Sequence, residues 1–250
     1  MFYTIGNVFA TINSKLVNRF DKYNPLCLPP NTVRVRTNDG NAPIIGIYAS
    51  YETATLVPGT SNIYDVYKSG TSFESLLRSS NNVVEVLGAN TTGIRNMCGM
   101  FSECFSIESV PLFDTSSVTD MSSMFIDCIS LTSVPLFATS NVSTMRSVFS
   151  GCTSLTSVPL FDTSSVTDMS YMFNECYKLK TVQLFDTSSV TNMNNMFYLC
   201  HDVQTGALAL YQQASLQTTP PTYHKSTFYQ CGINTQTGYE ELAQIPDDWK

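Results

Sequence analysis

The chain has 250 residues, 43% hydrophobic and only 13% charged, so it can bury a substantial core and lies outside the low-hydrophobicity, high-charge composition of disordered chains. No apolar run approaches the ~20 residues that a membrane helix needs, and the opening MFYTIGNVFATINSK lacks the basic-then-apolar layout of a secretory signal. The formal charge of -7 is unevenly placed: residues 73–204 carry 12 acids against 5 bases and the flanks 8 of each, which argues against a nucleic-acid groove of clustered Lys and Arg.

At the N-terminus, Ile5, Val8, Phe9, Ile12 and Leu16 recur at helical spacing and predict one amphipathic helix, its apolar stripe either packed on its own domain or anchored to a partner. TVRVRT at 32–37 alternates apolar and basic, NDG at 38–40 signals a turn, and further extended runs follow around 44–57 and 62–67. Residues 1–68 therefore read as a helix plus a small β cap, in which Arg34 and Arg36 form a basic pair on an acidic molecule.

Residues 69–204 are a repeat. Cys104, Cys128, Cys152, Cys176 and Cys200 stand 24 residues apart, and columns headed by Phe101, Met97, Ile94 and Ile107 move with them in the same phase. Apolar identity at fixed phase, with the intervening positions free to vary, is the signature of a stacked solenoid in which each unit buries its apolar face against its neighbours. One period earlier, Phe73, Leu76, Leu77, Val83 and Val86 take the apolar columns and Ser80 replaces Cys, which predicts a degenerate first rung.

Within a rung, LTSVPLF at 131–137 has the alternation of a short strand with Pro135 near its limit. Asn96, Asp120, Thr144, Asp168 and Asn192 occupy a helix N-cap position, and Met121, Met124, Phe125 and Cys128 follow at i, i+3, i+4 and i+7, predicting a two-turn helix. The fold expected is an α/β solenoid: a leucine-rich-repeat-like coil with short parallel strands and a short helix in each 24-residue rung, capped at both ends.

The pattern V-T-x-M-x-x-M-F-x-x-C-x-x-L-x-S-V-P-L-F-D-T-S, carried by residues 86–204, resembles the BspA-type leucine-rich repeats in their DUF285, lipoprotein-like branch. That resemblance implies a surface interaction module of the kind found on bacterial adhesins and mycoplasma surface lipoproteins. The flanks resemble segments that accompany such repeats in gut bacteria and their phages. The chain departs from the surface-anchored members in having no signal or lipobox cysteine, and the asparagine ladder of the standard leucine-rich repeat is missing.

Beyond the array, Phe228 and Cys231 restore the F-x-x-C spacing after 31 residues instead of 24, so residues 205–250 read as an irregular rung whose insertion, GALALYQQAS, predicts a capping helix.

The residues offer little catalytic chemistry. The cysteines lie a full rung apart with no C-x-x-C pair, so they read as buried core thiols and not as a metal site. Asp114, Asp162 and Asp186 form a column broken by Ala138, a pattern that suits turn-capping carboxylates better than calcium ligands. His201 and His224 have no accompanying nucleophile motif, which leaves an enzyme only the first 66 residues for a site. No cofactor is expected.

The copies diverge most at outward-facing positions, where Tyr171, Tyr177 and Tyr198, with Lys178 and His201, gather toward the C-terminal rungs of a Ser/Thr-rich surface. The expectation is a non-enzymatic structural or binding protein that presents this surface to a protein or glycan, on a cell surface or within a virion, including a phage tail. No nucleic acid or membrane insertion is expected, and an intracellular scaffold or secreted effector would use the same surface.

Overall fold

In the computed structural model, which describes residues 28–43 and 52–250, the repeat closes into a coil of seven stacked rungs. Isolated parallel bridges run from Ser72 to Asn96, Asp120, Thr144, Asp168, Asn192 and Tyr223, one contact per rung. The helix predicted at Ile5–Leu16 and the extended run at 44–51 lie outside the described residues.

Each rung is built from turns, which corrects the expected short helix. Met124, Ile126 and Cys128 donate their N–H groups to the carbonyls of Met121, Ser123 and Phe125, three residues back. The alternate N–H groups of Met121, Ser123, Phe125 and Asp127 leave the rung and donate to Thr144, Arg146, Val148 and Ser150 of the next. Two residues per rung take left-handed backbone angles to make this possible, Ser123 at φ 56° and Asp127 at φ 58°. A helix ~10 Å across does not fit between rungs spaced like strands at ~4.8 Å, so the hydrogen bonds that a helix would keep are sent to the neighbour.

The expected parallel strands are likewise reduced. No strand ladder forms along the VPLF limbs: Pro111, Pro135 and Pro159 have no N–H to give, and the neighbouring backbone contact is a single bond such as Thr132 N to Glu108 O at 3.0 Å.

The side chains inside form columns. Phe101, Phe125, Phe149, Phe173, Phe197 and Phe228 stack face to face with centroids 5.1–5.8 Å apart. The ladder thiols are buried, and each donates to the carbonyl 27 residues earlier: Cys128 to Phe101 at 3.0 Å, Cys152 to Phe125 at 3.1 Å, Cys176 to Phe149 at 3.1 Å. Burial pushes the Cys104 thiol up to about 12 and holds the next four well above the ordinary thiol value. A column of buried threonines does for the D-T-S corner what the thiols do for the turn limb: Thr115, Thr139 and Thr163 donate to the carbonyls of Ala138, Asp162 and Asp186.

At the N-terminal end four strands, β1 (Thr32–Thr37), β2 (Glu52–Leu56), β3 (Ile63–Lys68) and β4 (Val83–Asn90), form an antiparallel sheet in the order β2-β3-β1-β4. β4 is also the second limb of the first rung, so the sheet grows out of the coil instead of sitting on it. The alternation of TVRVRT puts Val33 and Val35 in the core and leaves Arg34 and Arg36 half-buried. Neither arginine is a spare positive charge: Arg34 pairs with both Asp65 oxygens, at 2.6 and 2.7 Å, and Arg36 with Glu85 at 2.9 Å.

At the other end α1 (Ala207–Leu216) fills the insertion, and α2 (Gln236–Ala243) is capped by Thr235, whose hydroxyl accepts from Gly238 N. Gly206 opens α1 at φ 100°, where a Cβ would stand 2.1 Å from the Val182 carbonyl oxygen, so only glycine fits. The last rung keeps the register through its seven extra residues, with Phe197 N donating to Thr227 O and Leu199 N to Tyr229 O. The stack is closed by Trp249, whose ring lies 4.3 Å from His224 and whose carbonyl accepts from Phe228 N.

Candidate recognition surfaces

Two faces of the coil carry side chains that a core does not explain. The first is the turn limb. Asp120 and Asp168 accept from the N–H two residues on, at 2.8 Å each, as a cap would, and so begin a turn at a fixed place in each rung. The outward positions that follow then fall in register from rung to rung.

The tyrosines sit on this face in three separate pairs. Tyr171, at φ 59°, lies under the Arg146 guanidinium of the preceding rung, 5.0 Å from the ring centroid. Tyr177 stacks on His201 at 5.5 Å, and its hydroxyl donates to Glu175 at 2.9 Å, which raises the phenol above its ordinary value. Tyr198 stacks on Tyr229 at 4.9 Å. Lys178 is exposed beside them. Lys180 holds Asp202 at 2.7 Å, Asn234 holds its other oxygen, and the buried His201 Nε2 finds no partner among the described residues. Sequence reasoning missed Arg146 and Tyr229. The second was available from spacing, because the 31-residue step that carries Phe197 to Phe228 also carries Tyr198 to Tyr229.

The second face was missed entirely. In V-P-L-F-D the Val and Phe are buried, three residues apart, and the Leu between them is exposed. Leu112, Leu136, Leu160 and Leu184 are 62, 58, 54 and 52% exposed, and together they form an apolar column up the coil. Beside it runs the aspartate column. Asp114 and Asp162 each accept from the backbone and hydroxyl of Ser116 and Ser164, and these bonds hold both carboxyls below the usual range. At the N-terminal end of the column a cavity of about 470 Å³ opens between Ala89, Asn90, Thr91, Leu112, Phe113 and Leu136. Ala89 stands where later rungs have Phe, and Gly88 where they have Leu, so the cavity is a gap in both columns.

Stacked rungs with one-residue-wide side-chain columns define a solenoid repeat protein of the leucine-rich kind. The family profile described as "Mycoplasma protein of unknown function, DUF285" matches residues 71–158 and again 132–234, and the chain belongs to this BspA-like family. No curated protein matches it. Among solved structures it is similar to a leucine-rich repeat protein from Eubacterium ventriosum, at 19% identity and a TM-score of 0.47, over 68% of this chain and 48% of the other. It is also similar to a leucine rich cell surface protein from Faecalibacterium prausnitzii, at 22% identity and a TM-score of 0.39, over 65% of this chain and 43% of the other. The chain thus spans less than half the length of either. Among the described residues no helix is long and apolar enough to cross a membrane.

Proposed function

We propose that the protein is a non-enzymatic binding protein that presents the tyrosine end of its turn face to a protein or glycan, at a cell surface or on a virion. The observation that carries this reading is the gathering of Tyr171, Tyr177, Tyr198 and Tyr229 on the last three rungs, each ring backed by a guanidinium, an imidazole or another phenol. Rings held this way have little freedom left to lose on binding, and tyrosine adds contact area at low entropic cost. The Ser-rich rungs before them offer little to desolvate.

The test uses residues that the coil already accepts. Ser123 and Ser147 occupy the Tyr171 column with the same left-handed backbone, Ser150 the Tyr198 column, and Thr153 the Tyr177 column. The triple variant Tyr171→Ser, Tyr177→Thr, Tyr198→Ser should keep its circular dichroism, since it places in these half-buried columns residues that other rungs already hold and removes ring contacts of about 0.5–1.5 kcal/mol each. Against a matrix-protein panel and a glycan array, the signal of the unaltered protein should fall more than tenfold in the variant. Equal binding by both would remove the tyrosine face from the account.

A further inference from the structure

The repeat is broken at three positions that fall at or beside one cavity. Gly88 stands where later rungs have Leu, Ala89 where they have Phe, and Ala138 where the rungs on either side have Asp. Ala89 and Ala138 line the cavity of about 470 Å³ together with Leu112, Phe113, Asp114 and Leu136. Small-molecule sites commonly hold ~300–1,000 Å³ and are built in this way, from apolar walls with a few placed polar groups. The shape of the gap points to a ring. Phe113 packs on Phe137 of the next rung, with centroids 5.0 Å apart. On its other side the column offers only the Ala89 methyl, so the place that one more phenylalanine ring would fill belongs to the cavity.

The polar lining sets the charge of what fits. Thr91 donates its hydroxyl to the Asp114 carbonyl, Thr115 donates to the Ala138 carbonyl at 2.9 Å, and Asn90 Nδ2 donates to the Leu28 carbonyl at 2.7 Å. These hydrogens are used within the protein, and what the lining has left is chiefly acceptor oxygen. Asp114 supplies its only formal charge, because the neighbours in that column are Asn90 and Ala138 and no Lys, Arg or His lines the cavity. Oδ1 of Asp114 accepts from Ser116 N at 2.9 Å and from Ser116 Oγ at 2.6 Å, whereas Oδ2 accepts from no described residue. A carboxylate oxygen beside apolar walls is matched best by an ammonium, through a charge-assisted hydrogen bond.

We propose that this cavity is a binding site for a small arylalkylamine: the ring covers Phe113 in the space of the absent Phe and Leu side chains, with Leu112 and Leu136 as walls, and the ammonium donates to Asp114 Oδ2. An anionic ligand would meet Asp114 with like charge, and a sugar would set its hydroxyls against the leucines. The site is separate from the tyrosines of the turn limb and stands whether or not that limb binds a partner.

The test is a titration of the 15N-labelled full chain, followed by its amide chemical shifts, with phenethylamine and three controls: phenethyl alcohol and phenylacetate, which keep the ring, and butylamine, which keeps the charge. Phenethylamine should shift amides around Leu112, Asp114 and Leu136 and saturate, and each control should bind more than tenfold more weakly. Asp114→Asn should weaken phenethylamine more than tenfold. Ala89→Phe, which restores the side chain held by the later rungs at Phe113, Phe137, Phe161 and Phe185, should abolish its binding. Asp162→Asn, in the same column but away from the cavity, and the triple tyrosine variant should bind as the unaltered protein does, with circular dichroism confirming that each variant is folded. No saturating shift with phenethylamine, equal affinity for the amine and the alcohol, or equal losses in Asp114→Asn and Asp162→Asn would each overturn the proposal.

Discussion

Phe149 is the centre of the stack, and Phe149→Ala is the substitution whose cost the structure specifies best. The side chain is 1% exposed, with Phe125 on one face at 5.8 Å, Phe173 on the other at 5.5 Å, and Phe161 at 6.2 Å. Truncating a buried Phe to Ala costs about 3–5 kcal/mol, and a stacked aromatic pair adds about 0.5–1.5 kcal/mol beyond its buried area. With a partner on both faces, the expected loss lies in the upper part of that range, about 4–5 kcal/mol. Phe149→Leu is the calibrating variant. Leucine already fills this column at Leu77, fully buried, so the loss should be about 1.5 kcal/mol, chiefly the two stacking contacts. Because a solenoid is held by nearest-neighbour interfaces, the alanine variant should also uncouple its halves. The single tryptophan, Trp249, reports the C-terminal rungs, and far-ultraviolet circular dichroism reports the whole. Their urea midpoints should coincide in the unaltered protein and separate in Phe149→Ala. A loss below about 1.5 kcal/mol for Phe149→Ala, or equal losses for Ala and Leu, would refute the stacked-column reasoning.

Three other outcomes follow from the same geometry. Ser123 sits at φ 56° in the column where Gly99 stands one rung earlier, so Ser123→Gly should raise stability by about 0.5–1 kcal/mol in urea denaturation, and destabilisation would count against the left-handed turn. Burial raises the Cys104 thiol from 9.0 to about 12 and the next four ladder thiols well above 9.0, so the folded protein keeps protons that the unfolded chain releases. Their stabilisation is complete below pH 9 and lost above it, by about 1 kcal/mol per thiol between pH 9 and 10; a flat urea midpoint from pH 8 to 10, or ready alkylation of Cys128, Cys152 or Cys176 without denaturant, would contradict the buried ladder. Thr163→Val keeps the shape but removes the hydroxyl that donates to Asp186 O at 2.8 Å, and calorimetry should show a loss of about 1–2 kcal/mol, whereas no change would mean that the corner does not depend on the bond.

The period, the inward columns and the register of the last rung were legible because each depends on apolar identity at fixed phase, and a 24-residue step survives in the sequence without insertions. The helix was misread for a physical reason. Met121, Met124, Phe125 and Cys128 point inward in either geometry, since two successive turns return side chains to the core at nearly the same intervals as a helix. What separates the two is where the N–H groups go. The sequence does hold a trace of the answer in the small or polar residues that recur at 99, 123, 147 and 195, where the backbone turns left-handed. The leucine column is not legible from alternation, because a period of two puts Leu112 on the side of Val110, whereas the limb buries Val110 and Phe113, three residues apart, and leaves Leu112 outside. The pairing of Arg34 with Asp65 and of Arg36 with Glu85 joins residues 31 and 49 positions apart, and no local pattern signals it.

The central claim is that each rung passes its hydrogen bonds to the next instead of closing a helix, and the most direct measurement is scalar coupling across those bonds by nuclear magnetic resonance in deuterated, 15N/13C-labelled protein. The account predicts coupling from Phe125 N to the carbonyl carbon of Val148, and from Phe149 N to that of Met172. Coupling from Phe125 N to the carbonyl of Met121, four residues back, would show a helix and contradict it.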